Sequence, residues 1–320
     1  MRQRAHRRKL PALVALLGLA CGRPSAPMEP GPTVAGRSFS GAAAHVRLTG
    51  LMQLPRALGD PRRIASIETL TELLRSAGAT EVDRLEHSGE DPWTGERFEM
   101  TTLIGAMRPT APRQFVLASH FDVRPWAESD PDPTRRDRPI PGANDGSSGV
   151  AVLLELAPLL LAQLPADVGF SLILFDGEEL GRPGAGPYCA GSRALAEALT
   201  AGRFPVVRSA RFGVVLDMVG DRDLQLLQEP GSRRTAPDLM TTIWSAGQVA
   251  GYPQFVAEPM PEALIDDHVA LTRAGIPSIL LIDYRYPAWH THADDLDQVA
   301  AGSLEAIGET LRIALRTRWP

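Results

Sequence analysis

Histidine, aspartate and glutamate side chains of the kinds that bind metal ions lie beside the apolar runs of this 320-residue sequence. They are His120, Asp145, Glu178, Glu179, Asp217 and His290. Two imidazoles and several carboxylates, without thiolates, form the donor set of a hydrolytic site for one or two Zn²⁺ ions. Adjacent Glu178 and Glu179 could divide the work, one binding metal and the other transferring protons. Asp145, at the start of an apolar helix, could bridge two ions from a rigid position.

Each of these short patterns, taken alone, is more often structural than functional. A His-x-Asp pair such as His120 and Asp122 is usually a surface or core pair. Two glutamates after a strand often mark the start of a helix, where the helix dipole favours them. The segment 144–149 alone is typical of a loop and helix cap. With Asp217 and Trp289–Thr291 they make five patterns in order, each next to an apolar run, and together they favour one shared metal site.

The apolar runs predict the elements that would position these residues. Strands are predicted over 101–104, 115–118, 170–175, 212–216 and 278–282, and helices over 62–77, 150–161, 194–199 and 304–315. Strands that alternate with helices indicate an α/β sandwich with a largely parallel sheet. Because such sheets place their sites at the C-terminal ends of strands, the predicted ligands would meet in one cleft.

The overall composition narrows the class of protein. Hydrophobic residues make up 44% and charged residues 22%, as in ordinary soluble enzymes. No apolar run reaches the roughly 20 residues that cross a bilayer, which excludes a multi-span membrane protein. The net charge of −5 is a poor match for nucleic acid. The two cysteines are Cys21, near the N-terminus, and Cys189. Only Cys189 lies in the body of the protein, so neither an internal disulfide nor a thiolate metal site is expected there.

The first 44 residues have the composition of an export signal and a tether. Residues 1–21 carry five basic residues, then an apolar stretch that ends at Cys21, which predicts export. Ala20-Cys21 resembles a bacterial lipoprotein box, although Gly18 stands where such boxes usually have leucine. Plain secretion is the alternative to lipid anchoring at Cys21. Loss of residues 1–20 would leave a net charge of −10, which gives no electrostatic attraction to nucleic acid or anionic lipid.

These features predict three segments. An export signal of the lipoprotein type is predicted over 1–21, a flexible Pro/Gly-rich tether over 22–44, and a single zinc-dependent catalytic domain over 45–320. We therefore expect an exported protein of the periplasm or cell envelope. A lipid anchor at Cys21 would be its only membrane contact, and no nucleic-acid partner is expected.

Several motifs resemble those of the co-catalytic zinc aminopeptidase superfamily. They are Pro141–Gly149, Phe175–Glu179, Asp217–Gly220 and Trp289–Thr291. Within it, the chain is most similar to the glutaminyl-peptide cyclotransferases, through Gly191–Arg193, Asp266–His268, Gly275–Pro277 and Asp294–Asp295 as well. The resemblance extends over nearly all of 45–320. It implies a three-layer α/β sandwich in which helices flank a twisted, mixed and mostly parallel sheet.

The resemblance implies metal ligands at matching positions. Asp145, Glu179 and His290 match the zinc ligands that the aminopeptidases and the cyclotransferases share. His120 and Asp217 match the additional ligands of a second metal ion in the peptidases. The expected cofactor is therefore one zinc ion, or two in the peptidase case.

Catalytic and substrate-binding roles follow from the same resemblance. Glu178 matches the acid/base residue, and Asp217 and Asp266 would share one proton in a cyclase. Trp289 matches the aromatic wall of the cyclase pocket, and Tyr286 is expected to add to it. The segment 180–188 contains no match for the second pocket tryptophan of the animal cyclases.

The expected substrates are peptide or protein N-termini. A cyclase would convert an N-terminal glutamine to pyroglutamate with release of ammonia. The alternative is a zinc aminopeptidase that hydrolyses the first peptide bond. A metal-free binding domain is disfavoured, because every expected ligand position holds a residue that can bind metal.

Overall fold

The computed structural model describes residues 36–186 and 188–319. The predicted export signal, Cys21 and most of the predicted tether lie outside these residues. Helix α1 (Gly41–Leu51) begins four residues before the predicted domain start at 45, and Phe39 and Ala44 belong to the core. The small residues at 41–44 resemble a tether in composition, but they allow α1 to pack closely against the C-terminal helix.

The described residues contain eight strands. They are β1 (Glu81–Glu90), β2 (Arg97–Met107), β3 (Arg113–His120), β4 (Val168–Phe175), β5 (Ala210–Asp217), β6 (Leu226–Gln228), β7 (Phe255–Pro259) and β8 (Ser278–Ile282). Six form the central sheet in the order β1-β2-β4-β3-β5-β8, and β6 pairs with β7. The β1–β2 and β2–β4 pairs are antiparallel, whereas the pairs from β4 to β8 are parallel. The mixed, mostly parallel sheet is as predicted.

Helices cover both faces of this sheet. After α1 come α2 (Arg63–Ser76), α3 (Ser147–Gln163), α4 (Ala190–Thr200), α5 (Pro205–Arg208), α6 (Pro230–Thr235), α7 (Pro237–Val249), α8 (Asp267–Arg273) and α9 (Ala301–Arg318). Side chains of α1, α2, α3, α7 and α9 share one core with the sheet, and those of α4, α5 and α8 share a second core on the opposite face. The predicted three-layer sandwich is therefore confirmed.

The predicted strands and helices are all present, most of them longer than predicted. Helix α3 is apolar on nearly all sides because it packs between the sheet, α1 and α9. The apolar pattern does not predict β1, because Leu85 is its only fully buried residue at the edge of the sheet. Within residues 36–186 and 188–319, we find no helix with both the length and the apolar character needed to span a membrane.

Candidate metal centre

The C-terminal ends of the parallel strands bring predicted ligands to one edge of the sheet. His120 is the last residue of β3 and pairs in register with Phe175 at the end of β4. Asp217 is the last residue of β5 and pairs with Ile282 at the end of β8. The polar residues that follow the apolar runs in the sequence thus lie together, as open α/β sheets place their sites.

The turn before α3 brings Asp145 to this edge. Gly146 has a φ of 85°, a left-handed conformation that favours glycine. A Cβ atom at Gly146 would lie 2.7 Å from the carbonyl oxygen of Asp122 and 2.8 Å from Cε1 of His120. Glycine therefore allows the start of α3 to approach β3 closely, which holds Asp145 beside His120.

Two loops supply the remaining predicted ligands. Glu178 and Glu179 lie in a 3₁₀ turn that follows Gly177, whose φ is 72°. The Asp122 carboxylate accepts hydrogen bonds from their backbone amides, at 3.2 and 3.1 Å, and so fixes the turn. His290, in the loop after β8, has a φ of 55°. Left-handed residues other than glycine are uncommon and cluster at functional sites.

Asp145, Glu179 and His290 form a first group of three potential ligands. One donor atom from each lies within 4.8 Å of the others, and all three residues are buried. Nε2 of His290 is 3.4 Å from Oε2 of Glu179 and 3.9 Å from Oδ2 of Asp145. A zinc ion with bonds of about 2.0–2.2 Å to nitrogen and oxygen fits between donors at such separations.

His120, Asp145 and Asp217 form a second group of the same extent. Nε2 of His120 lies 3.2 Å from Oδ1 of Asp145 and 3.0 Å from Oδ1 of Asp217. Asp145 belongs to both groups, through a different carboxylate oxygen in each. It is therefore placed to bridge two ions.

The charges in the first group call for a cation. Oδ2 of Asp145 is buried and has no hydrogen-bond partner among the described residues. Burial, followed by the charge of Glu179, raises the pKa of Asp145 well above its usual value. Burial lowers the pKa of His290, but the Glu179 charge and hydrogen bonds to Glu128 and Glu179 outweigh it and raise that pKa to about 9. A metal ion that accepts nitrogen and oxygen ligands would balance the negative charge of the Asp145 and Glu179 carboxylates.

Glu178 differs from its neighbour Glu179 in its surroundings. Burial, and then the charge of Glu179, raises the pKa of Glu178 well above its usual value. The buried Cys189 thiol donates a hydrogen bond to Oε1 of Glu178, with a sulfur–oxygen distance of 3.1 Å. A carboxyl group whose pKa is raised in a cleft suits proton transfer.

A cavity of about 570 Å³ opens beside these groups. Its polar lining consists of Asp145, Glu178, Glu179, Asp217, Asp266 and His290, and its other lining residues include Tyr188, Ile265, Tyr284, Tyr286 and Trp289. Trp289 is 44% exposed, and its ring stacks on the His290 imidazole with 3.6 Å between ring centroids. The cavity thus combines a polar side with an aromatic rim.

The structure brings all the predicted site residues to this region, with His120 buried against Asp145 and Asp217 rather than lining the cavity. Tyr286 lines the cavity, but its hydroxyl donates to Asp294 at 2.6 Å. The hydroxyl therefore helps to hold the site.

Sequence reasoning gave no role to three residues of the site. Asp294 accepts hydrogen bonds from the backbone amides of Asn144 and Asp145, at 2.8 and 3.1 Å, and so fixes the turn before α3. Asp122 fixes the Glu178–Glu179 turn in the same way. In the sequence, Asp122 belongs to the His-x-Asp pair with His120, and Asp294 belongs to the Asp294–Asp295 motif. Tyr188 lines the cavity from the segment 180–188, whose sequence contains no tryptophan.

Comparison with known proteins agrees with this geometry. The sequence profile of peptidase family M28 matches residues 102–315. The chain belongs to peptidase family M28. Glutaminyl-peptide cyclotransferase of Gloydius blomhoffii is 25% identical over 242 residues, which cover 67% of this chain and 64% of that protein. The chain thus spans slightly less than two thirds of this curated relative.

Solved structures of this M28 protein's relatives match over nearly their whole length. Bacteroides thetaiotaomicron glutaminyl cyclase, bound to N-acetylhistamine, is 31% identical with a TM-score of 0.79, covering 88% of this chain and 98% of that one. A Zn-dependent exopeptidase of Parabacteroides distasonis is 28% identical with a TM-score of 0.78, covering 86% and 97%. The fold and its mixed sheet are therefore those of the zinc exopeptidases.

Proposed function

We propose that this M28 protein is a zinc-dependent glutaminyl-peptide cyclotransferase, which converts the N-terminal glutamine of peptides or proteins to pyroglutamate with release of ammonia. The observation that carries the proposal is the half-exposed Trp289 ring, stacked on His290 where a cavity meets the metal-binding group. Similarity to a bacterial glutaminyl cyclase over almost all of its length supports it.

Asp145, Glu179 and His290 are the proposed zinc ligands. Their donor atoms are close together and buried, and Asp145 has a buried oxygen without a protein partner. When bound, zinc would polarise the side-chain amide carbonyl of the substrate glutamine. The Trp289 face would pack against the methylene groups of that side chain.

Glu178 is the proposed acid/base residue. Its carboxylate takes a proton from the substrate α-amine, whose nitrogen attacks the side-chain carbonyl carbon to form the ring C–N bond. The C–N bond to the side-chain amide nitrogen then breaks, and Glu178 returns the proton to this nitrogen, which leaves as ammonia. One carboxyl group serves both steps, because the first step leaves Glu178 protonated and the second step returns it to the carboxylate.

Asp217 and Asp266 are proposed to hold one proton between them beside the reacting amide. Both line the cavity. Burial, and then the charge of Asp217, raises the pKa of Asp266 to about 7. A proton held there would stabilise negative charge that develops on the substrate.

A second function, zinc aminopeptidase, is favoured by one specific observation. His120, Asp145 and Asp217 form a second group with metal-binding geometry that shares Asp145 with the first, as a two-metal hydrolase needs. In that reaction Glu178 would take a proton from the water that attacks the first peptide bond.

Mass spectrometry of a glutamine-initiated peptide after incubation with purified protein tests the proposal. A cyclase product lacks the mass of ammonia and keeps every residue. Loss of the whole first residue would overturn the proposal in favour of the aminopeptidase. An alanine-initiated peptide is the matched control, since only a peptidase would shorten it.

We also propose that the protein is exported and anchored by a lipid on Cys21, which lies outside the described residues. The basic and apolar order of residues 1–20 supports this. Cys21→Ser should move the protein from the membrane fraction to the soluble fraction. An unchanged distribution would contradict the lipid anchor.

A further inference from the structure

The imidazole of His290 is contacted on both of its nitrogens. Nε2 faces the proposed metal site, 3.4 Å from Oε2 of Glu179. Nδ1 lies 2.7 Å from Oε1 of Glu128, on the opposite side of the ring. Because a carboxylate can only accept, Nδ1 must carry a proton, and Nε2 is the nitrogen that would bind a metal ion, with release of any proton on it.

Glu128 is itself held by a buried arginine. The Arg124 side chain has no solvent exposure. Its Nε donates to both carboxylate oxygens of Glu128, at 3.1 and 3.0 Å, and its Nη2 donates to Oε1 at 2.6 Å. This fork leaves the carboxylate one orientation, in which Oε1 points at His290.

The same guanidinium group also binds Glu179. Nη1 of Arg124 donates to Oε2 of Glu179 at 3.1 Å, to its carbonyl oxygen at 2.9 Å and to the carbonyl oxygen of Gly181 at 2.8 Å. A buried arginine is costly unless its donors are paired. Here the pairing connects two of the three proposed zinc ligands, directly to Glu179 and through Glu128 to His290.

We infer that Arg124 and Glu128 are positioning residues that set the zinc affinity of the site, Glu128 by fixing the tautomer and ring orientation of His290. The inference rests on the zinc site of the proposed function, but not on which reaction that site catalyses. Groups that hold the ligands of a metal in this way typically change its affinity about 10–100-fold when they are substituted.

A neighbouring pair provides a matched control. Asp130 and His292 lie two residues beyond Glu128 and His290, and Oδ2 of Asp130 is 2.9 Å from Nδ1 of His292. Asp130 also accepts a hydrogen bond from the His292 backbone amide at 2.9 Å. The pair links the same two loops but belongs to none of the metal-binding groups. Substitution of Asp130 therefore shows how much a weaker contact between these loops changes zinc affinity by itself.

Zinc dissociation constants of the purified full-length protein test the inference, measured by competition with a chromophoric chelator. Glu128→Gln keeps the side-chain volume but removes the charge, and should raise the zinc dissociation constant roughly 10–100-fold. Arg124→Lys, which cannot bind Glu128 and Glu179 together, should shift it in the same direction. Asp130→Asn should stay within about threefold of wild type. Excess zinc should restore turnover to Glu128→Gln.

Thermal melting of the metal-free variants shows whether each one is folded. If Glu128→Gln is unfolded, Arg124→Lys provides the test of zinc affinity in its place. Wild-type zinc affinity in folded Glu128→Gln, or equal weakening in Asp130→Asn, would overturn the inference. A protein that binds zinc tightly, is weakened by Glu128→Gln and yet forms no pyroglutamate would retain the inference and lose the proposed function.

Discussion

The adjacent pair Glu178 and Glu179 allows proton transfer and metal binding to be separated by two matched substitutions. Glu178→Gln keeps an oxygen that can accept from the Cys189 thiol, so the fold should change little. It cannot carry a proton, and the loss of an acid/base group slows a reaction at least about 10²-fold. This corresponds to about 2.7 kcal/mol in the activation free energy. Zinc content should stay at the wild-type level.

Glu179→Gln should act through the metal instead. Oε2 of Glu179 lies 3.4 Å from Nε2 of His290 and 3.1 Å from Nη1 of Arg124, so the substitution removes a carboxylate charge from beside the ligand His290 and the Arg124 guanidinium. As a direct ligand, it should weaken zinc binding by more than the about 10–100-fold seen for residues that only hold ligands. Turnover should fall in proportion to the zinc lost.

Metal analysis of both purified variants, beside their rates of ammonia release, is the assay. A zinc-poor Glu178→Gln with a zinc-replete Glu179→Gln would reverse the two roles. Wild-type rates in both variants, on glutamine- and alanine-initiated peptides alike, would refute the proposed site altogether.

Three further predictions follow from single contacts. Trp289→Ala removes the ring stacked on His290 and should raise KM about 2–10-fold with a smaller change in kcat, as the about 0.5–1.5 kcal/mol of an aromatic contact implies; an unchanged KM in steady-state kinetics would exclude Trp289 from substrate binding. Gly146→Ala places a Cβ against Asp122 at a left-handed φ, so denaturant unfolding should show a loss of about 1–3 kcal/mol, and wild-type stability would contradict the close approach. Burial raises the pKa of Glu229, but the nearby His268 imidazole, 3.4 Å from Oε2, and hydrogen bonds from amides of α6 outweigh it and lower that pKa from 4.5 to about 2. The stabilisation by Glu229 is therefore complete above pH 4.5 and is lost as the pH falls towards 2. Glu229→Gln should therefore cost about 2–3 kcal/mol at pH 6 and much less at pH 2.5, whereas a pH-independent cost in urea unfolding would contradict the lowered pKa.

The layers of the fold and the position of the site could be predicted because both depend on local patterns. Buried strands such as β4 read as continuous apolar runs, and the residue that ends a run lies at the edge where sites form. His120 and Asp217 were found in this way. Strand β1 was missed because pairing with β2 along its whole length, rather than an apolar pattern of its own, holds it in the sheet.

The hydrogen bonds that hold the ligands could not be predicted, because they join distant parts of the chain. Glu128 and His290 are 162 positions apart, and no spacing in the sequence indicates their contact. Arg124 and Glu128 have the spacing of a helical ion pair but lie in an irregular segment between β3 and α3. The same holds for Asp294, whose contact with the turn at Asp145 spans 149 positions. Such contacts become visible only once the tertiary fold is known.

The central claim is that zinc bound by Asp145, Glu179 and His290 supports cyclisation of N-terminal glutamine. Titration of metal-free protein with zinc, while ammonia release and the mass of a glutamine-initiated peptide are followed together, tests it most directly. We predict that ammonia release rises with the first bound equivalent of zinc and that the product keeps all of its residues. A zinc-loaded protein that releases no ammonia, or that shortens the peptide, would contradict the claim.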